Sequence, residues 1–257
     1  LVDLRLNAFY KQSYRYPTFN DLYYTDMGNA YLKPELAKQH SVGLSFTQPF
    51  RIAQQRGSEF RIHADYYYNR ISDKIIAYPK GQQFRWTMLN LGLVKINGLD
   101  INAQLHFVLP KNFYLTAKAQ YTYQTAVDMT DPSDTYYGHQ IPYIPWHSGS
   151  AVGILGWQND WMQYGLNYSF IYVGERYNQQ ENILFNYTQP WYTHDLSVYG
   201  EWDIYKVKGE SLEVKGKKLF TLRVALDVNN LLSQDYDVIL NYPMPKRNYK
   251  CTISITY

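Results

Sequence analysis

Polar side chains able to hold an ion or a ligand are confined to a few stretches of this sequence. Asp128, Asp131 and Asp134 are evenly spaced, and clustered carboxylates are what a hard cation such as Ca²⁺ takes. They lack the glycine-centred spacing of a calcium loop, so an ordinary solvated loop is the plainer reading. His63, His106, His147 and His194 have no zinc-ligand separations and read better as wall-lining polar residues. No Ser-His-Asp pattern and no glycine-rich phosphate loop stands out. What remains is binding chemistry. Arg15, Asp21, Asn29, Lys33 and Glu35 share one Gly- and Pro-punctuated stretch. They offer charge and hydrogen bonds to a ligand, or simply turn chemistry. Tyr136, Tyr137, Trp146, Tyr187, Trp191 and Tyr192 offer flat stacking surfaces, or an interfacial belt. Lys206, Lys208, Lys215, Lys217 and Lys218, mixed with Glu210 and Glu213, read as a solvated turn. Neither catalysis nor a cofactor is expected.

The elements that must position these residues are strands. From Tyr249 to the end, Tyr249, Cys251, Ile253, Ile255 and Tyr257 alternate with Lys250, Thr252, Ser254 and Thr256. A period of two with one apolar and one polar face is a half-buried strand. A face made of Lys, Thr and Ser cannot pack a dry core. Apolar on one side, hydroxyl-rich on the other and aromatic at its end, the stretch fits a transmembrane barrel with lipid outside and water or a plug inside.

The same alternation recurs along the chain. It predicts about ten strands, among them Val2 to Tyr10, one carrying Val42, Leu44 and Phe46, one from Phe60 to Tyr68, and one ending near Leu109. Others run from Phe113 to Tyr123, His147 to Trp157, Met162 to Tyr172, through Leu196 and Val198, and from Phe220 to Val228. Tight turns are expected at Arg56-Gly57, Pro110-Lys111-Asn112 and Asn159-Asp160, and a loop at Pro79-Lys80-Gly81. Long loops are expected near 17–34, 128–145, 176–190 and 237–246. Short turns at one end and long loops at the other are the polarity of outer-membrane barrels.

Composition agrees. The mean hydropathy of −0.46 looks soluble, yet a barrel wall needs apolar residues only at alternate positions. No apolar run approaches the ~18 residues of a spanning helix. Tyrosine occurs 28 times in 257 residues, a level that suits interfacial belts, or alternatively a Tyr-rich soluble sandwich. A single cysteine, Cys251, excludes an internal disulfide. The net charge of +3 gives no sign of a nucleic-acid partner. The chain opens inside a strand, which suggests the C-terminal part of a longer protein.

Three stretches resemble TonB-dependent outer-membrane receptors. Arg15-x-Pro17-Thr18-Phe19-x-Asp21-Leu22-Tyr23 with Gly28-Asn29-Ala30-Tyr31-Leu32-Lys33-Pro34-Glu35 is similar to one family loop. Asn90-Leu91-Gly92 with Gly98-Leu99-Asp100 is similar to a family strand. Asn230-Leu231-Leu232-Ser233-Gln234-Asp235-Tyr236 with Arg247-Asn248-Tyr249 resembles the family ending, where Lys246 replaces the usual Gly. The Asn241-Tyr242-Pro243-Met244-Pro245 wording looks like receptors of Bacteroidota.

The resemblance implies an all-β, antiparallel transmembrane barrel of 22 strands with an N-terminal plug, residues 1–257 supplying about the last ten strands. It implies location in the outer membrane of a Gram-negative bacterium. Expected partners are the N-terminal half of the barrel and its plug, the TonB complex through the plug, outer-membrane lipid, and the barrel assembly machinery. Tyr249, Ile253, Ile255 and Tyr257 would be the assembly signal. The implied function is active import of a scarce large nutrient: a ferric siderophore, cobalamin or haem. Haem fits less well, because the family's haem receptors carry a His in the first loop and none lies between Arg15 and Glu35. Ligand contacts would come from Arg15, Asp21, Asn29, Lys33, Tyr136, Tyr137 and Tyr187. The alternatives are an outer-membrane barrel enzyme and a soluble carbohydrate-binding β protein.

Overall fold

The computed structural model describes residues 2–52, 55–80, 85–205 and 218–257. The basic turn expected at 206–217 lies outside the described residues. Ten strands form one antiparallel sheet, each beside its predecessor in the chain. In order they are β1 (Asp3–Arg15), β2 (Glu35–Ile52), β3 (Gln55–Lys80), β4 (Arg85–Val108), β5 (Phe113–Asp128), β6 (His147–Gln158) and β7 (Met162–Val173). After the ribbon β8 (Arg176–Tyr177) and β9 (Tyr187–Thr188), the sheet resumes with β10 (Trp191–Tyr205), β11 (Lys218–Asn229) and β12 (Asn248–Thr256). One short helix, α1 (Phe19–Tyr23), interrupts the first long loop. Among the described residues no helix is long and apolar enough to cross a membrane.

Register converts the alternation into two faces. One cross-strand row reads Cys251, Leu226, Val198, Leu166, Leu155, Leu115, Phe107. The row one residue along, on the other face, reads Lys250, Asp227, Ser197, Asn167, Ile154, Thr116, His106, Glu59. The apolar face is solvent-accessible in the chain alone, with Ile253 67% and Leu6 74% exposed. So much contiguous apolar surface needs an apolar environment.

Aromatic rings bound this band at both ends. Towards the long loops stand Tyr10, His40 and Tyr68, then Tyr123 beside His147, then Phe170 beside His194. Towards the short turns stand Phe50 against Phe107, Trp157 and Trp202 against Tyr164, and Phe220 near Tyr257. Two such girdles are what headgroup interfaces select.

Not every tyrosine belongs to a girdle. Tyr114 and Tyr199 point inward, their rings lying where a Cβ on Gly156 and Gly165 would be. Gln163 donates to both hydroxyls, at 2.7 and 3.1 Å, and Arg223 stacks on Tyr199 at 4.3 Å. Period-two reading of tyrosine as belt misses this network.

The sheet is uneven in height. β3 and β4 have 26 and 24 residues, whereas roughly 9–11 span a bilayer. The surplus rises on the long-loop side as a hairpin whose strands reach Lys80 and Arg85. The Arg56-Gly57 pair, expected in a turn, already lies within β3. Where the hairpin leaves the membrane a dry core forms: Ile71, Ile76, Leu91, Val94, Ile96 and Ala126 are buried with Ile141 from the loop after β5. Among the described residues β1 and β12 are each paired on one side only. An unpaired edge cannot face lipid, so each needs a further strand beside it.

Ile253 sits near the middle of the outward band. Ile253→Lys lowers the stability of the lipid-reconstituted receptor by about 2–4 kcal/mol. Thr252→Lys, on the inner face, lowers it by under half as much. Denaturant titration in vesicles reads both.

Candidate functional site

The long loops gather at one end of the sheet, and much of their polarity is spent on holding themselves in place. In the first loop, Thr18 Oγ1 accepts from the Asp21 N–H at 3.2 Å, and Asp21 Oδ2 accepts from the Thr18 N–H at 2.9 Å. This capping box starts α1. Arg15 ties the loop's two ends: its guanidinium reaches Asp21 at 3.0 Å and Glu35 at 3.4 Å. Glu35 also accepts from the Ile75 N–H at 3.0 Å. Asn29 donates to the Met88 carbonyl at 3.0 Å. The backbone of Lys33 both donates to and accepts from the Asn90 side chain, at 2.8 and 3.0 Å. The first two sequence motifs are thus one latch between the first loop and the β3–β4 hairpin. The Lys33 ammonium is left exposed.

The third motif closes the last loop in the same way. Asn230 donates through its N–H to Asp195 at 2.7 Å, and through its amide to the Gln234 and Pro245 carbonyls. Lys246, which stands where the family motif has Gly, pairs with Asp235 at 3.0 Å on the surface. Arg176 was not anticipated from sequence. It is 2% exposed, and its guanidinium donates to the carbonyls of Gly174, Gln189, Asp237 and Val238. Burial pulls it below the usual guanidinium range, the nearby Tyr143 opposing. One buried cation therefore joins the loop after β7 to the loop after β11, with carbonyl dipoles in place of an acid.

Aromatic side chains fill the space between the latches. Trp86 packs on Tyr143 at 5.6 Å, Trp146 on Tyr177 at 5.7 Å, and Tyr177 on Tyr187 at 6.1 Å. Trp191 stacks on Tyr236 at 4.4 Å. Between the two last loops lies a cleft of about 340 Å³ lined by Tyr187, Trp191, Tyr236, Asp235 and Asp237, among others. Two buried polar atoms of its lining, Thr188 Oγ1 and Trp191 Nε1, have no hydrogen-bond partner. Buried orphans of this kind cost free energy unless something binds them. Tyr187, expected as a ligand contact, is in this cleft; its hydroxyl donates to Glu175 at 3.1 Å. Burial, then that carboxylate, pushes the phenol up. Tyr136 and Tyr137 lie on the separate loop after β5, Tyr137 exposed and Tyr136 half-buried.

Asp128, at the end of β5, and Asp131 and Asp134 in that loop do not converge. Asp128 is buried and accepts from Thr130 and Gln180; Asp131 and Asp134 cap local turns at Ser133 and Tyr136. Among the described residues no group of three such side chains could hold a metal. Hydrogen bonds from Ser133, backbone first, hold Asp131 below the ordinary carboxylate range.

The fold does assemble a Ser-His-Asp set that linear spacing hides. On the inner face Ser45 hydrogen-bonds His63 at 2.8 Å, and His63 pairs with Asp65. Ser45 sits in β2, paired there with Arg5 of β1 on one side and His63 of β3 on the other. Its neighbouring backbone groups are used in the sheet. The set is a polar strut of the wall.

A wall with a greasy outer band, two aromatic girdles and a polar lumen defines a strand-spanning outer-membrane protein. The family model described as "TonB dependent receptor-like, beta-barrel" matches residues 3–231. The chain belongs to that family, and its place is the outer membrane of a Gram-negative bacterium. Over 90 residues, 35% of this chain and 13% of the relative, it is 38% identical to the vitamin B12 transporter BtuB of Vibrio vulnificus. Over 265 aligned positions, 99% of this chain and 36% of the relative, it is 25% identical to BtuB of Photobacterium profundum. Both organisms are Vibrionaceae, which lends no support to the Bacteroidota likeness. The copper transporter OprC shares the fold with a TM-score of 0.62 at 16% identity, over 97% of this chain and 36% of that one. BauA, the ferric preacinetobactin receptor from Acinetobacter baumannii, does so at 0.60 and 14%, over 100% and 34%. The chain spans about a third of the Photobacterium profundum relative and of the two solved structures. They are transporters and receptors, and the soluble carbohydrate-binding alternative falls away.

Arg176→Ala strips four carbonyls of a buried donor. Opening of the loops after β7 and β11 becomes easier by roughly 1–3 kcal/mol. Lysine restores only part, lacking the planar fork. Hydrogen exchange at 176–189 and 237–244 is the readout; unchanged protection would contradict the clamp.

Proposed function

We propose that residues 1–257 form the C-terminal part of the barrel of one receptor, whose plug and remaining strands complete a 22-stranded wall, and that this receptor actively imports a scarce large nutrient. The observation that carries the reading is the two-faced wall in a chain that the family model matches over residues 3–231. The polar inner face is suited to a hydrated plug rather than to a second sheet. Energy would reach the plug from the TonB complex. The barrel would do no bond chemistry. Tyr249, Ile253, Ile255 and Tyr257, exposed on the outward face of β12, would be read by the assembly machinery.

Among ferric siderophores, cobalamin and haem, cobalamin is favoured, because two curated relatives, of Vibrio vulnificus and Photobacterium profundum, bear the name vitamin B12 transporter. Tyr187, Trp191 and Tyr236 would stack on a flat macrocycle. Tyr136 and Tyr137 would approach it from the loop after β5, and the Lys33 ammonium from the first loop. Arg15, Asp21 and Asn29 would act by holding that loop.

Labelled cyanocobalamin and a ferric siderophore are offered to cells that depend on the full-length receptor. Cobalamin uptake is expected, lost on deletion of TonB. Trp191→Ala with Tyr236→Ala weakens binding about threefold to tenfold. Uptake that persists without TonB would remove the transport reading; uptake of the siderophore alone would remove only the cargo.

A further inference from the structure

The outward face carries a feature that nutrient import does not use. Immediately beyond the Tyr10–His40–Tyr68 girdle, on the long-loop side, the next cross-strand row reads Gln12, Lys38, Arg70, Lys95. Lys38 is paired directly with Arg70, and Arg70 directly with Lys95. By alternation all three share the face of Tyr10, His40, Tyr68 and the lipid-facing band. Lys38 and Arg70 are exposed and Lys95 half-exposed.

Like charges directly opposite one another in a sheet are destabilising. Neighbouring strands lie ~4.8 Å apart, so the three side chains start within about 10 Å of each other. Among the described residues none of the three has an ion-pair partner. The adjacent rows on this face supply no acid: Tyr14, Leu36, Ser72 and Leu93 lie above, and Tyr10, His40, Tyr68 and Asn97 below. Glu35 is engaged by Arg15 and the Ile75 N–H.

Below the cations is a greasy groove. It has a volume of about 370 Å³, and Ala8, Tyr10, His40, Val42, Tyr66 and Tyr68 contribute to it. The Tyr10 and His40 rings pack at 4.8 Å, and His40 and Tyr68 at 6.2 Å. A row of three cations one step outside an aromatic girdle, over an apolar groove that continues into the hydrocarbon band, matches one kind of molecule. It is an amphiphile with anionic phosphates at headgroup level and acyl chains below.

We propose that Lys38, Arg70 and Lys95 bind the phosphates of a phosphorylated, multiply acylated lipid of the outer leaflet, with an acyl chain in the Ala8–Tyr68 groove. Arg70, central in the row, can take two phosphate oxygens with its fork, while Lys38 and Lys95 act as point charges on either side. The anion removes the repulsion along the row, and the site is independent of which cargo the receptor carries.

The test uses the full-length receptor in nanodiscs of phosphatidylcholine doped with lipopolysaccharide, in intact and enzymatically dephosphorylated forms, with bound lipid counted by native mass spectrometry. Intact lipopolysaccharide is expected to be retained, and the dephosphorylated form much less. K38Q/R70Q/K95Q weakens retention on the order of a hundredfold. K38R/K95R preserves it. K11Q, on the opposite face of β1, leaves it unchanged. Heat-modifiable migration on gels verifies that each variant is a folded barrel. Equal retention by the wild type and a folded triple variant would overturn the site. So would equal retention of the two lipid forms, or inorganic phosphate binding as tightly as the lipid.

Discussion

In hydrocarbon a backbone N–H or C=O has no water to turn to, and each one left unpaired costs several kcal/mol. Everything in this wall follows from that demand. A strand meets it only by pairing on both sides, and the simplest chain that does so visits neighbours in order. The observed sheet does this through ten strands, from β1 to β12, each lying antiparallel beside its predecessor in the sheet. Pairing also fixes register, and register fixes faces. A one-residue slip of β11 against β12 would send Asp227 and Arg223 into lipid and Val224 into the lumen.

The same demand separates the wall from its loops. Within the band, alternation suffices and side chains are simple. Beyond it, water returns and the backbone leaves the ladder, so side chains take over the pairing. Asn90, Glu35 and Arg176 do this across long stretches of chain, at the Lys33 and Asp73 carbonyls, the Ile75 N–H and the Asp237 carbonyl, and Asn230 does it within its own loop, at the Gln234 and Pro245 carbonyls. The rim is therefore held by a few polar nodes rather than by a continuous core. Its one dry cluster among the described residues, around Val94 and Ile141, lies on the hairpin that rises furthest.

Ten strands and their two faces were legible because a period of two is imposed by the pleat and the membrane alike. Boundaries inside the wall came out well for the same reason, and the Lys111-Asn112 turn, with both residues at positive φ, announced itself by composition. The height of β3 and β4 was not legible. Past the girdle their sequence, from Ile71 to Leu91, has an apolar set that packs against a loop, and that pattern looks like irregular structure. The three family stretches were visible as motifs, but not their joint role: Asn29 and Lys33 meet Met88 and Asn90 across more than fifty residues. Arg176 gave no signal, since an arginine in a polar loop normally points to water. The Ser45–His63–Asp65 set was hidden because its serine comes from a neighbouring strand. The cleft between the last loops could be expected only as scattered aromatics; Tyr187 and Trp191 were named, and their approach to Tyr236 was not.

Two-facedness itself is open to direct measurement, and the native sequence supplies the probe site. Cys251 is the sole cysteine, exposed on the outward face of β12. A nitroxide there, in the full-length receptor reconstituted in lipid, should collide often with oxygen and rarely with a water-soluble nickel complex. The same label at Thr252→Cys in a Cys251→Ser background should reverse that preference. If both positions favoured the nickel complex, or neither reversed, the outward face would not meet lipid and the membrane-wall reading of this sheet would be wrong.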